Sequence, residues 1–188
     1  MSDALAGEGF ALRRARPGDV DFLLALAGHE DVEPFMAAVA ARTRDELLAA
    51  VDLSLREPEE HGRFVVEVDG SPVGALSFDV ANRRSRIAHV FGFMLHPGFR
   101  GRGLADAAAR VFARHLLLDL GFHRLQLEVY GFNERGLRHA ERAGYVPEGV
   151  KRRAYWRHEG WVDGVLFGLL REDLEERDDA PSRYPLAP

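Results

Sequence analysis

Phe91-Gly92-Phe93-Met94-Leu95-His96-Pro97-Gly98-Phe99-Arg100-Gly101-Arg102-Gly103-Leu104-Ala105 joins two regimes of periodicity. Before it, Ile87 to Leu95 is a β-branched and aromatic run of the kind that forms strands. After it, Leu104, Ala108, Val111, Phe112 and Leu116 fall at helical spacing, with Gly121 placed to end the helix. Arg100-Gly101-Arg102-Gly103 is therefore a glycine-rich basic loop at a helix N-terminus. First-turn N–H groups have no intrahelical acceptor and the helix dipole is positive there, so such a loop suits an anion. Glycines let backbone approach closely, and the two arginines add charge. R-x-x-G-x-A is short, and a solvated basic turn has the same composition, so the loop alone leaves both readings open.

Upstream, Phe10 to Arg14 reads as a strand and Val20 to Ala27 as a helix opened by Pro17-Gly18-Asp19 and closed by Gly28. Thr43 and Glu46 form a capping box ahead of Leu47, Leu48, Val51 and Leu55, a second helix that Pro58 stops. Arg63 to Val68 and Val73 to Val80 are strands around Asp69-Gly70-Ser71-Pro72, a hairpin turn signal, and Ile87 to Leu95 lengthens the meander. Downstream, Arg124 to Tyr130 is a strand, and Asn133 caps a helix that runs to Ala143 and ends at Gly144. Two final strands, Tyr145 to Trp156 and Trp161 to Leu170, join around Glu159-Gly160. The order β-α-α-β-β-β-α-β-α-β-β predicts a mixed α/β (α+β) sheet with the loop at a strand-to-helix junction. The tail over 175–188, EERDDAPSRYPLAP with its preceding leucine at 174, is charged and contains proline; it reads as a mobile end or an arm against a second copy.

A chain of 188 residues suits one domain, and 46% hydrophobic with 29% charged residues can bury a core. The absence of cysteine excludes disulfides, thiolate metal sites and a cysteine nucleophile. A net charge of -5 argues against a general nucleic-acid binder. No run of apolar residues is long enough for a membrane span and MSDALAGEGF has no targeting pattern, so the expected compartment is the cytoplasm. There is no G-x-x-x-x-G-K-S/T and no G-x-G-x-x-G, which sets nucleotide hydrolysis and hydride transfer aside.

Two separated segments carry a family resemblance that runs from Phe10 to about Leu174. FGFMLHPGFRGRGLA is similar to the fourth strand and the R/Q-x-x-G-x-G/A cofactor loop of the GNAT acetyltransferases. NERGLRHAERAGYVPEGV resembles that superfamily's later N-x-x-A/S and E-K/R-x-G-F/Y-x-x-E-G segment. Phe91-Gly92-Phe93, Gly144-Tyr145 with Glu148-Gly149, and Asp163 with Phe167-Gly168-Leu169 resemble the Rim-type ribosomal-protein N-acetyltransferases and their antibiotic- and metabolite-modifying relatives.

The resemblance implies a GNAT-type, mostly antiparallel central sheet flanked by helices, one acyltransferase domain over 1–174, acetyl-CoA as cosubstrate and no metal. It implies direct acetyl transfer to a primary amine, on a small molecule or a protein N-terminus, with no covalent enzyme intermediate; the alternative is a GNAT-fold acyl-CoA sensor or interaction module with little catalysis. Arg100, Gly101, Arg102, Gly103, Leu104 and Ala105 would bind the pyrophosphate, and backbone groups of Met94 and Leu95 would pair with the pantetheine arm. Asn133 would hold the pantetheine amide or orient the thioester end, a role compatible with a plain helix cap. A splay near Phe93 to Leu95 would leave a backbone N–H, at Leu95, to polarise the carbonyl. His89 lies near the place where many relatives carry a glutamate and is the candidate base, through water; a histidine hydrogen-bonded on its strand is the competing reading.

The proton donor is less defined. Many relatives carry a tyrosine where this chain has Ala140, and Rim-type members often carry a serine where it has Gly136, leaving Tyr130, Tyr145 or water. His29-Glu30-Asp31-Val32-Glu33-Pro34-Phe35 borders the acceptor side in the family and would attract a cationic amine, or is solvated surface. Arg152, Arg153, Tyr155, Trp156, Arg157 and Trp161 around the last hairpin would meet an acceptor with carboxylate or aromatic groups, or pack across strands. A homodimer is compatible with all of this.

Overall fold

The computed structural model describes residues 4–36 and 43–176. It starts with a hairpin, β1 (Ala4–Gly7) and β2 (Phe10–Arg14), antiparallel around Glu8 and Gly9 with Gly9 at φ 74°. The sequence reading has no strand at Ala4–Gly7, because Ala-Leu-Ala-Gly lacks a β-branched signal. The pairing is supported instead by the Phe10 ring, which lies across Gly7 where any β-carbon would collide with it. Helices α1 (Val20–Ala27) and α2 (Arg44–Arg56) follow. At α2 the capping box is closed on both sides: Glu46 N donates to Thr43 Oγ1 at 3.2 Å and Thr43 N donates to Glu46 Oε2 at 3.0 Å. Strands β3 (His61–Val68) and β4 (Ser71–Asn82) turn through Asp69 at φ 51° and Gly70 at φ 75°, the two positive angles of a type I′ turn.

Strand β5 (Ile87–Leu95) leads to α3 (Leu104–Arg114), β6 (Arg124–Tyr130), α4 (Glu134–Ala143), β7 (Val146–Arg157), β8 (Gly160–Leu170) and α5 (Arg171–Glu176). Three details differ from the sequence reading. The helix expected to run through Leu116 changes to a π-helical segment at His115–Asp119, where Leu120 N donates to His115 O at 3.0 Å, before Gly121 turns the chain at φ 69°. The last hairpin turns one residue earlier, through His158 at φ 51° and Glu159 at φ 59°, because Arg157 pairs with Gly160. Helix α5 was not expected; Leu170 N donates to Asp173 Oδ2 at 2.8 Å at its start. Of the tail over 175–188, the part from 177 lies outside the described residues.

The described residues form two compact units, one of those up to Val80 with Val90–Phe112, the other of Ala81–His89 with those from Ala113 on. In the first, hydrogen-bonded neighbours run β1-β2-β3-β4-β5. Ala15, Val20, Leu23, Val51, Val65 and Ala75 form a buried cluster there. Phe112 of α3 meets Phe64 edge-on at 5.1 Å. In the second the order is β5-β6-β8-β7, over buried Leu116, Leu117, Leu125, Phe167 and Leu169. The sheet is mixed and mostly antiparallel: β1–β2, β2–β3, β3–β4, β6–β8 and β7–β8 pair antiparallel, whereas β5 and β6 pair parallel from Ile87↔Arg124 to His89↔Gln126. No described helix is long and apolar enough to cross a membrane.

Candidate functional site

In the first unit β5 runs out at Leu95 into a 3-10 turn over Pro97–Phe99, and the chain reaches α3 through Arg100 to Gly103. His96 builds the turn: Gly98 N donates to its Nδ1 at 3.2 Å and Phe99 N to its carbonyl at 2.9 Å. Gly101 and Gly103 both stand at φ 76°, with Arg102 between them off the positive side. Alternation of this kind turns successive N–H groups into a concave nest for an anion. A β-carbon built on either glycine meets no described atom within 4 Å, so the backbone there is open to a ligand. The α3 ladder begins with Ala107 N donating to Gly103 O at 3.1 Å, and the amides of Gly101 to Ala105 precede it. Arg102 is exposed, its guanidinium 6.0 Å from the Phe99 ring centre.

Arg100 behaves differently. Its own N–H donates to Pro97 O at 3.1 Å, Nε donates to Leu95 O at 3.2 Å, and Nη2 donates to Asp31 O at 3.2 Å. The guanidinium thus reaches the acidic segment after α1, where Glu30, Asp31 and Glu33 are exposed and Val32 is buried. His29 meets His96 edge-on, ring centres 5.8 Å apart. Sequence reasoning did not single out His96; its only local signal was a histidine directly before Pro97 at a strand end.

Within β5, Ala88 and Val90 are buried on one parity and Leu95 on the other, with Gly92 at φ 64° between them. One extra residue at a positive-φ glycine is the geometry of a β-bulge, which re-aims the side chains beyond it. Met94 packs against the first unit's core cluster, and its carbonyl lies so close to Gly74 that a β-carbon there would stand 2.7 Å from it. The structure therefore brings Met94, Leu95 and Arg100 to Ala105 together in one unit.

His89 and Asn133 belong to the second unit. His89 pairs in register with Gln126 and faces away from buried Ala88 and Val90. Asn133 caps α4: Gly136 N donates to its Oδ1 at 2.9 Å, and Asn133 N donates to Tyr130 O at 2.9 Å. The cap uses one end of the amide. Ala140 is buried. Tyr145 is buried, and that burial pushes its phenol well above the usual tyrosine range. Tyr130 stacks on Phe132 at 5.5 Å and meets Tyr155 edge-on at 5.3 Å.

At the last hairpin Trp156 and Trp161 are cross-strand partners, edge-on at 5.4 Å. Between Lys151↔Gly164 and Tyr155↔Val162, Arg152 to Ala154 oppose Asp163 alone, Arg153 stands at φ 49°, and Arg153 N donates to Asp163 Oδ1 at 2.7 Å. Arg152, Arg153 and Asp163 line a cavity of about 660 Å³. Lys151 Nζ donates to Glu128 Oε2 at 2.7 Å. Among the described residues no group of three or more His, Asp or Glu side chains is placed to hold a metal ion.

Residues 10–146 match the acetyltransferase (GNAT) domain family. The chain is similar to the SPbeta prophage-derived uncharacterized N-acetyltransferase YokL of Bacillus subtilis (strain 168), 26% identical over 169 residues that cover 90% of this chain and 94% of that protein. It is also similar to spermidine N(1)-acetyltransferase of Escherichia coli (strain K12), 31% identical over 139 residues that cover 74% of this chain and 68% of that protein. Among solved structures, Mycobacterium smegmatis RimJ in complex with CoA-disulfide shares the fold with a TM-score of 0.76 and 23% identity, over 91% of this chain and 86% of that one.

Proposed function

The chain belongs to the GNAT acetyltransferase family, and from that premise we propose that it transfers an acetyl group from acetyl-CoA directly to a primary amine, on a small molecule or a protein N-terminus. The observation that carries the reading is the nest at Gly101 and Gly103, both at φ 76° and open where a β-carbon would be, at the head of α3. The N–H groups of Gly101, Arg102, Gly103, Leu104 and Ala105 donate to the pyrophosphate, and Arg102 adds its charge. Arg100 donates Nε to Leu95 O and Nη2 to Asp31 O, so part of its guanidinium shapes the loop while its remaining N–H groups add charge toward the pyrophosphate.

Met94 and Leu95 offer main-chain groups to the amide-bearing pantetheine arm, as a strand offers them to another strand. Acetyl-CoA supplies an acyl group activated as a thioester. The Leu95 N–H polarises the acyl carbonyl, Asn133 Nδ2 orients the arm, and His89 removes the amine proton through water. Tyr130, Tyr145 or water returns a proton to the departing thiolate, and burial makes the Tyr145 phenol a weaker acid than an ordinary tyrosine. The catalytic domain extends over 1–174 in this reading. The similarity to the Escherichia coli spermidine N(1)-acetyltransferase supports an amine acceptor, and Glu30, Asp31 and Glu33 favour a cationic one.

The test is a panel of amines, including polyamines and N-terminal peptides, with release of thiol from acetyl-CoA as the readout. Thiol release that requires one amine class and disappears in Gly103→Val is the expected result. CoA binding with no thiol release for any amine would turn the reading to an acyl-CoA sensor.

A further inference from the structure

A guanidinium is a planar fork of donors, suited to holding two fixed acceptors at once. In Arg100 that fork spans two segments of the first unit: Nε holds Leu95 O at the end of β5, and Nη2 holds Asp31 O, 69 residues away in sequence. The Asp31 segment is folded around His29, whose Nδ1 accepts from Asp31 N at 3.1 Å and whose carbonyl accepts from Val32 N at 2.8 Å and Glu33 N at 2.9 Å. The turn before Arg100 is folded in the same way around His96, and the two histidine rings touch. Each segment is thus a small preformed unit, and Arg100 and the His29–His96 contact join them. Gly101, the first residue of the nest, is the next residue after Arg100, so the position of the fork follows from the position of the nest. Two acceptors of the fork are main-chain carbonyls, whose positions are fixed by the fold of each segment.

We infer that Arg100 is a positioning residue that fastens the His29–Phe35 segment to the cofactor loop, so that a cofactor held at Gly101 to Ala105 also holds the acidic acceptor-side segment in place. The inference rests on the cofactor reading above. It assigns part of the Arg100 guanidinium to the acceptor side of the reaction.

Hydrogen exchange of the full chain with and without saturating CoA tests it in wild type, Arg100→Lys and Arg100→Ala. In wild type, CoA slows exchange over both 101–105 and 29–35. Arg100→Lys keeps the charge and loses the fork, so CoA still protects 101–105 while its protection of 29–35 is lost, as it is in Arg100→Ala. In acceptor kinetics both variants raise the acceptor KM by a larger factor than the KM for acetyl-CoA. Protection of 29–35 by CoA in both variants at the wild-type level overturns the inference, as does protection of 101–105 without 29–35 in wild type. Absence of protection over 101–105 in wild type would instead sink the cofactor reading itself, and this inference with it.

Discussion

A β-carbon on Gly136 would stand 2.5 Å from Asn133 Nδ2 and 3.0 Å from Val129 Cγ1, so glycine at this position is what allows the Asn133 side chain to fold over the first turn of α4. Resembling enzymes often carry a serine here, and this chain could not accept one without moving Asn133. Gly136→Ser should displace the side chain and break the bond from Gly136 N to Asn133 Oδ1. Losing an Asn cap costs about 1 kcal/mol, which outweighs the roughly 0.5 kcal/mol that serine gains over glycine in helix propensity. Thermal unfolding should therefore show a small drop in Tm, and calorimetry a weaker CoA affinity if Asn133 orients the pantetheine arm. An unchanged Tm would show that the cap survives and that the side chain moves without cost.

The nest makes a separate prediction. Gly103 stands at φ 76° with open space where a β-carbon would be, so a side chain there is opposed by backbone strain and not by collision inside the protein. Gly103→Val should cost about 1–2 kcal/mol of stability. Its effect on the ligand should be larger, because a turned peptide and a branched side chain both disturb the amides that face the pyrophosphate. Calorimetry should show CoA affinity reduced by about tenfold or more, equivalent to one well-placed charge-assisted contact. Equal affinity for variant and wild type would remove the pyrophosphate from this loop.

His89 tests the proton path. If it accepts the amine proton through water, His89→Ala should lower kcat at neutral pH and leave CoA affinity intact, because the residue acts on the acceptor alone. Raising the pH should recover part of the rate, since more of the amine then arrives unprotonated. A pH–rate profile that overlays the wild type would assign the step to bulk water or a backbone carbonyl.

Stability against acid depends on Asp19. Arg13 grips it with Nη1 to Oδ2 at 2.7 Å and Nη2 to Oδ1 at 2.9 Å, and Arg16 N donates to Oδ2 at 2.7 Å. The Arg13 hydrogen bonds are the main reason its carboxyl sits below the usual range, with burial opposing them. A folded pKa lower than the unfolded one gives stability that is present above the unfolded value, near 4, and lost as pH falls through the folded value beneath it. Asp19→Asn should cost about 2 kcal/mol at neutral pH, where it leaves Arg13 with the Glu67 carboxylate and the Arg14 carbonyl. Urea unfolding followed from neutral pH into the acid range should show the gap between wild type and variant closing. A gap that stays constant to the lowest pH would mean that the Asp19 charge contributes nothing.

What the sequence determined by itself was whatever a few neighbouring residues decide. Thr43 and Glu46 close their box within one turn, Asp69-Gly70 adopts the two positive φ angles that residues of this kind tolerate, and β5 begins and ends at Ile87 and Leu95 as its composition predicts. The basic glycine loop before α3 was legible for the same reason, and the two spaced motifs carried the family. Only the tertiary structure decided the partners. Arg100 looks in sequence like a phosphate ligand, and the fold adds carbonyl partners for it at Leu95 and Asp31. Gly136 looks like a lost hydroxyl, yet it makes room for Asn133. Ala4–Gly7 has no strand signal and pairs because a phenyl ring from the next strand covers its glycine. Strand β8 lies between β6 and β7, an order that chain sequence does not contain. Local propensities act over three or four residues, whereas hydrogen bonds between segments tens of residues apart are set by which faces bury against each other, and that choice exists only once the chain has folded.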